Sequence, residues 1–340
     1  MLRKVKLDEA IGMVLGHDVT KVIPGKFKGP VFRRGHTIKQ EDIPELLNIG
    51  KEHIYVMELD EEEVHEEEAA LRIARAISGS GVEFSQPSEG RVNLKAKIPG
   101  LLKINTGLLE EINSIGEILV VTRHSNTVCT TGMEIVATKI VPLFTTQAKV
   151  SEIEQICQKA GKLVEVIPIK KRRVGVVITG SEVFKGRIED KFGAVIKKKA
   201  EALGSVINQQ TIVPDDVDLI AQAVTETSAK GSEVIVVCGG LSVDPDDVTV
   251  EGVKKSGAEI ISYGAPVMPG AMFLFAMWKG IPILGTPGAV IYNPTTIFDL
   301  ILPRVLAGEK ICRGDIVKLG YGGLCLNCEK CSFPICPFGK

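Results

Sequence analysis

The chain ends in a dense group of thiols. Cys325, Cys328, Cys331 and Cys336 form a Cys-x2-Cys-x2-Cys-x4-Cys-Pro run inside the last sixteen residues. Sulfurs at such spacing point to a metal rather than to disulfide staples in a reducing compartment, with reversible disulfides as the competing arrangement. The run is one residue longer than the ferredoxin pattern and also suits a four-thiolate zinc site, so an Fe–S cluster and Zn2+ both stand. Cys129, Cys157, Cys238 and Cys312 are scattered and carry no such signal.

A second constellation consists of three glycine-containing loops. Loop one, residues 179–190, opens Thr179, Gly180, Ser181, Glu182 and closes at Asp190. Loop two, residues 239–249, opens Gly239, Gly240, Leu241, Ser242 and then carries Asp244, Asp246 and Asp247 before Thr249. Loop three, residues 285–294, contains Thr286, Pro287 and Gly288. Glycines let backbone N–H groups approach an anion, and the hydroxyls of Ser181, Ser242, Thr249 and Thr286 add donors. Loops two and three also lead into expected helices whose N-termini favour negative charge. Three aspartates beside a phosphate would repel it, and a bridging Mg2+ resolves that conflict; helix capping is the plainer role for any one of them. Neither a Walker-A lysine motif nor Gly-x-Gly-x-x-Gly is present, which argues against ordinary nucleotide hydrolysis and dinucleotide binding.

The elements that must position these loops alternate regularly. Strands are expected at residues 174–179, 205–212, 233–238, 258–263, 272–278 and 281–284, and helices at 190–203, 215–229, 247–255 and 290–307. That alternation predicts an α/β fold, a three-layer, mostly parallel sheet flanked by helices, with all three loops at the carboxyl edge of its strands. Smaller domains precede it. Residues 1–59 read as a β-rich N-terminal module with one helix near Glu41 to Asn48, and 60–150 as an inserted α+β domain. An acidic run from Asp60 leads into the first helix of that domain. Residues 151–172 read as a linker, 173–308 as the main α/β domain and 309–340 as the tail with the four-cysteine metal motif. The basic cluster at residues 170–173 reads as a solvated junction, and the five histidines form no constellation.

Composition limits the partners. With 44% hydrophobic and 24% charged residues the chain is a folded globular protein, and a net charge of −1 gives no long-range field for nucleic acid or an anionic membrane. No apolar run is long enough to span a bilayer, and the start lacks a secretory stretch, so a cytoplasmic location is expected.

At its loops the sequence resembles the molybdenum cofactor biosynthesis family that carries a molybdopterin-binding domain. This family includes molybdopterin molybdenumtransferase, molybdopterin adenylyltransferase and competence-damage-inducible proteins. The resemblance runs through Thr179-Gly180-Ser181-Glu182, the whole of loop two, Pro269-Gly270 and Thr286-Pro287-Gly288. Residues 12–20 and 35–56 also look like the opening of the transferase. The resemblance implies that Gly239, Gly240, Leu241 and Ser242 hold the ligand's phosphate or pterin end. Pro269, Gly270, Thr286, Pro287 and Gly288 would shape its pocket. Asp247, with Asp246, would stand near Mg2+ and the transferred group, and Asp190 matches an acid of the adenylyltransferase relatives. The ligand would be molybdopterin or adenylated molybdopterin, and the reaction insertion of molybdate or tungstate with release of AMP. A non-catalytic carrier or sensor and an adenylyltransferase are the alternatives. Ser181 stands where the transferase usually has an acid, and few residues follow Gly308, both of which favour the carrier. A homo-oligomer is expected, with a molybdoenzyme apoprotein as the recipient partner.

Overall fold

The computed structural model describes residues 2–23, 27–57 and 62–340. The chain divides into two compact units. Met1–Lys97, Ile104–Arg123 and Gly132–Glu165 form the first; Ile98–Lys103, His124–Thr131 and Val166–Lys340 form the second. Leu59, the expected end of the N-terminal module, and Asp60 and Glu61, which open the acidic run, lie outside the described residues.

In the first unit Leu2–Lys6 pairs antiparallel with His53–Met57, and Val19–Ile23 with Phe27–Phe32. Ile54 and Val56 are buried while His53 and Tyr55 are exposed, the period-two pattern of a half-buried strand. Their inward side chains join Leu15, Ile38 and Leu46 in one small core. The expected helix is present at Ile43–Asn48, with a proline in its first turn where a missing N–H costs nothing. Beyond it, helix Glu66–Ile77 precedes a four-stranded antiparallel sheet in the order Val82–Phe84, Arg91–Ala96, Glu134–Ile140, Ile118–Thr122. The linker opens on the helix expected over 150–160, found at Gln147–Ala160 and capped by the Thr146 side chain, and strand Val164–Ile167 follows.

The main sheet of the second unit has six strands. They are β1 (Arg173–Thr179), β2 (Val206–Val213), β3 (Val234–Cys238), β4 (Glu259–Tyr263), β5 (Leu274–Trp278) and β6 (Ile281–Thr286). Their order across the sheet is β2-β1-β3-β6-β5-β4. β2, β1, β3 and β6 are parallel, and β5 runs antiparallel to both β6 and β4. The expected mostly parallel sheet is therefore present.

Alternate side chains of the central strands enter different layers. Val174, Val176 and Ile178 of β1 and Val234, Val236 and Cys238 of β3 pack with helices α1 (Phe192–Ala202) and α4 (Ile297–Leu306), through Ile196, Phe298 and Ile301. Val177, Ile235 and Val237 face the other way, onto Ile220 and Val224 of α2 (Val217–Ala229) and Val253 of α3 (Thr249–Lys255). Burying each such side chain contributes about 1.5–3 kcal/mol, which makes these two faces the main source of the fold's stability. Helices on both faces give the three layers.

Several expected limits shift for local reasons. The helix expected over 215–229 begins at Val217, because the Asp216 side chain accepts the N–H groups of Asp218 and Leu219. The helix expected over 290–307 is two, Ala289–Tyr292 and α4. Pro294 disfavours helical backbone at the preceding residue, and Asn293 is extended with φ −112° and ψ 131°. A new start follows at Thr296, whose side chain and Asp299 form a capping box. The tail contributes a further helix, α5 (Arg313–Lys318), that hydrophobic periodicity did not suggest. Burial alone would raise the Asp315 carboxyl, but bonds from Cys312 and the charge of Arg304 outweigh it and hold it at about 2.

Candidate functional site

The register of the parallel strands decides where the loops lie. Ile178 of β1 pairs with Cys238 of β3, and Cys238 pairs with Thr286 of β6, so the three strands end side by side. Each is followed by one of the glycine loops. Leu274 pairs with Gly285 and Tyr263 with Leu274, so the β4–β5 connection carrying Pro269 and Gly270 leaves the same edge. Four loops thus gather at one end of the sheet, a position where ligands of open α/β sheets bind.

Loop two crosses β1 at short range. Gly239 has φ 93° and Gly240 φ 56°, in the left-handed region where a side chain is strained. A Cβ on Gly239 would also strike the Thr179 carbonyl, and one on Gly240 the Thr249 hydroxyl. The buried Thr179 hydroxyl bonds to that of Thr249 at 2.9 Å and lies 3.2 Å from the Cys238 carbonyl. Thr179 and Thr249 are thereby spent on holding loop two against β1.

Other expected ligand groups also carry internal bonds. The Thr286 hydroxyl donates to the Cys238 sulfur at 3.2 Å. Burial pushes the Cys238 thiol up to about 12, so it stays protonated and is no nucleophile. The Asp215 carboxylate accepts the Ser181 N–H at 2.7 Å, and the Ser181 hydroxyl accepts the Asp215 N–H at 3.2 Å. A carboxylate therefore stands beside Ser181, supplied by another loop. Asp190 caps the start of α1: its Oδ1 accepts from Phe192 and Gly193, and its Oδ2 from the Gln210 amide at 3.0 Å.

Asp247 organises loop two from within. Its Oδ2 accepts the N–H of Ser242 at 3.0 Å and that of Asp244 at 3.4 Å. Both bonds use one oxygen, which leaves Oδ1 for a ligand or cation. Asp246 and Ser242 are exposed. This donor set fits a Mg2+ that takes a carboxylate or two and completes its shell with water and ligand oxygens. Among the described residues no three His, Cys, Asp or Glu side chains form a group that could hold a metal ion on their own.

The expected helix-terminus field is weak here. α3 has seven residues and Ala289–Tyr292 four, too short for a substantial macrodipole, so glycine-loop amides are the main anion donors. Tyr263 was not foreseen from sequence. Its hydroxyl donates to the Leu241 carbonyl at 2.8 Å, bracing loop two from the end of β4. Burial, then the charges of Asp247 and Glu251, raise its pKa and keep it a donor. Its place at a strand end beside the loops was the available signal. Gly270 sits against the start of α4, where a Cβ on it would strike Ile297.

The four tail cysteines belong to the same unit and none is disulfide-bonded. All four line a cavity of about 210 Å3 together with Asn293 and Pro294 from the end of loop three.

Comparison with known proteins agrees with the loop pattern. A family described as "Probable molybdopterin binding domain" matches residues 175–307, and one described as a domain of unknown function matches residues 4–58. A CinA-like protein of Desulfosudis oleivorans is 41% identical over 81 residues, which cover 24% of this chain and 19% of that protein. A molybdopterin molybdenumtransferase of Staphylococcus aureus is 30% identical over 141 residues, covering 39% of this chain and 32% of the transferase. The chain thus spans about a fifth to a third of the length of these relatives. The solved structure of the molybdopterin biosynthesis MoeA protein of Pyrococcus horikosii aligns with 12% identity and a TM-score of 0.34, over 91% of this chain and 75% of that one. Among the described residues no helix is long and apolar enough to cross a membrane.

Proposed function

We propose that the four-loop edge binds molybdopterin, free or adenylated, and inserts molybdate or tungstate into it, because residues 175–307 match the family described as a probable molybdopterin binding domain. The observation that carries this reading is the side-by-side ending of β1, β3 and β6, each continued by a glycine loop. Amides of Gly239, Gly240, Leu241 and Ser242 hold the phosphate of the ligand. Thr179, Gly180, Ser181 and Glu182 border it on one side, and Thr286, Pro287 and Gly288 on the other. Pro269 and Gly270 close the pterin end.

In the reaction a molybdate oxygen attacks the adenylyl phosphorus and breaks the phosphoanhydride, AMP leaves with that oxygen as its Mo–O bond breaks, the metal binds the dithiolene sulfurs, the thiol protons pass to water, and no electron moves. Asp247 and Asp246 would hold Mg2+, which supplies neutralisation of the phosphoryl charge. The amides orient the anhydride against the incoming oxoanion, so positioning carries much of the rate. Asp190 contributes by capping α1 behind loop one and Asp215 by fixing Ser181. We place the protein in the cytoplasm, as a homo-oligomer that passes its product to a molybdoenzyme apoprotein. The tail cysteines add a metal site beside this edge. The test is AMP release from adenylated molybdopterin on addition of molybdate; a chain that binds the pterin and releases no AMP would sink the transferase reading.

One observation favours a second reading, a carrier or sensor of the finished cofactor. Asp247 and Asp190 already serve as acceptors for backbone N–H groups, a structural use that needs no turnover. An adenylyltransferase would instead consume ATP and molybdopterin without molybdate.

A further inference from the structure

The pterin reading leaves the chemistry of the tail thiols undetermined. Cys325 and Cys336 are half-buried against the core of the second unit, whereas Cys328 and Cys331 are exposed, and all four front one cavity. The cavity also has apolar walls, Leu326, Pro337 and Phe338, and the Thr295 hydroxyl lies 3.5 Å from the Cys331 sulfur. The segment is fastened in place. Met268 donates its N–H to the Gly323 carbonyl and accepts that of Cys325, each at 2.8 Å, and Gly339 donates to Gly322 at 2.9 Å.

Two candidates compete for four thiolates, and size separates them. A zinc ion bonds sulfur at about 2.3 Å, so a tetrahedral site needs its sulfurs within roughly 4 Å of one another. Among the described residues no three His, Cys, Asp or Glu side chains form a group that could hold one metal ion. Yet the four cysteines line a common space of about 210 Å3, far above the roughly 15 Å3 that admits one water. A polynuclear core bridges sulfurs that a single ion cannot reach.

We propose that Cys325, Cys328, Cys331 and Cys336 hold one [4Fe–4S] cluster in this cavity. All four sulfurs serve the same cluster, unlike a two-cluster ferredoxin run whose fourth cysteine serves another. Loading transfers a preassembled core from a carrier. The core's bonds to the carrier's thiolates break, four Fe–S bonds to these sulfurs form, the thiol protons pass to the departing thiolates, and no electron moves. Because Asn293 and Pro294 line the cavity and Met268 pairs with the tail, the cluster braces loop three and the β4–β5 loop. The assignment stands whether or not that edge binds a pterin.

The experiment is metal and acid-labile sulfide analysis of the whole chain purified without oxygen, with visible absorbance before and after dithionite. The expected result is a brown protein with about four iron and four sulfide per chain, bleached on reduction. Cys328→Ser combined with Cys331→Ser loses the iron while thermal unfolding of the chain stays cooperative. Cys312→Ser, outside the run, keeps it. One zinc per chain without iron, two iron with two sulfide, iron-free protein with tail disulfides, or iron retained by the double variant would each overturn the assignment.

Discussion

The glycine edge and the cysteine cavity share one unit, yet they are built in opposite ways. At the edge, the side chains that could face a ligand are largely bonded to protein: Thr179 to Thr249, Thr286 to Cys238, Ser181 to Asp215, Asp247 to its own loop. What remains for a ligand is mainly backbone, held close by residues that have no Cβ, with Asp247 Oδ1, Asp246 and Ser242 beside it. At the cavity the backbone is a frame, and four cysteines line the space between them. A site of the first kind is broken by adding atoms, and one of the second kind by removing them.

Gly240→Val tests the first half of that contrast with the largest effect. The φ of 56° costs a branched side chain roughly 1–2 kcal/mol, and forcing it against Thr249 adds about 1–3 kcal/mol. Pterin binding, followed by fluorescence titration, should weaken more than tenfold with iron content unchanged; equal affinity would show that loop two is not the ligand's cradle. Asp247→Asn keeps an oxygen for the Ser242 N–H but loses the charge. AMP release should fall at least tenfold as the Mg2+ is held less well, with pterin affinity nearly preserved, and an unchanged rate removes this residue from the chemistry.

Smaller effects sharpen the comparison. Tyr263→Phe deletes one hydrogen bond to loop two, worth about 0.5–1.5 kcal/mol. Pterin affinity should drop between twofold and tenfold, whereas a loss as large as that of Gly240→Val would mean that Tyr263 touches the ligand. The first unit supplies a control that leaves both regions alone. Burial, followed by the charge of Arg34, lowers the His65 pKa from 6.5 to about 4. A depressed histidine contributes stability that is fully present above pH 6.5 and is lost as pH falls through 4. Thermal unfolding should record that loss between those values, and His65→Gln should flatten it without changing pterin binding at neutral pH.

Much of the second unit was legible because its signals are local. Runs such as Val234–Cys238 are apolar throughout, as a strand buried on both faces must be, and Gly239 with Gly240 marks the turn directly. Sequence placed three loops on one edge because strand–helix alternation forces parallel pairing. It did not show that β5 turns back between β6 and β4, which brings the Pro269–Gly270 loop to the same edge. The break at Asn293 escaped because apolar spacing continues across it, although Pro294 was in view. Tyr263 and Asp215 were missed for another reason. Both reach the loops from strands or turns distant in sequence, and side-chain bonds of that kind leave no periodic trace.

The pairing at Met268 has a consequence for the order in which the molecule is finished. Synthesis runs from the N-terminus, so Met268 leaves the ribosome well before Gly323 and Cys325, its two backbone partners. Until they emerge, the β4–β5 loop has its internal bonds at Gly264, Ala265 and Val267 but lacks the two at Met268, while β1, β3 and β6 are already complete. The sheet therefore matures before one part of its rim, and the nascent chain completes the β4–β5 loop only when the cysteine segment pairs with Met268.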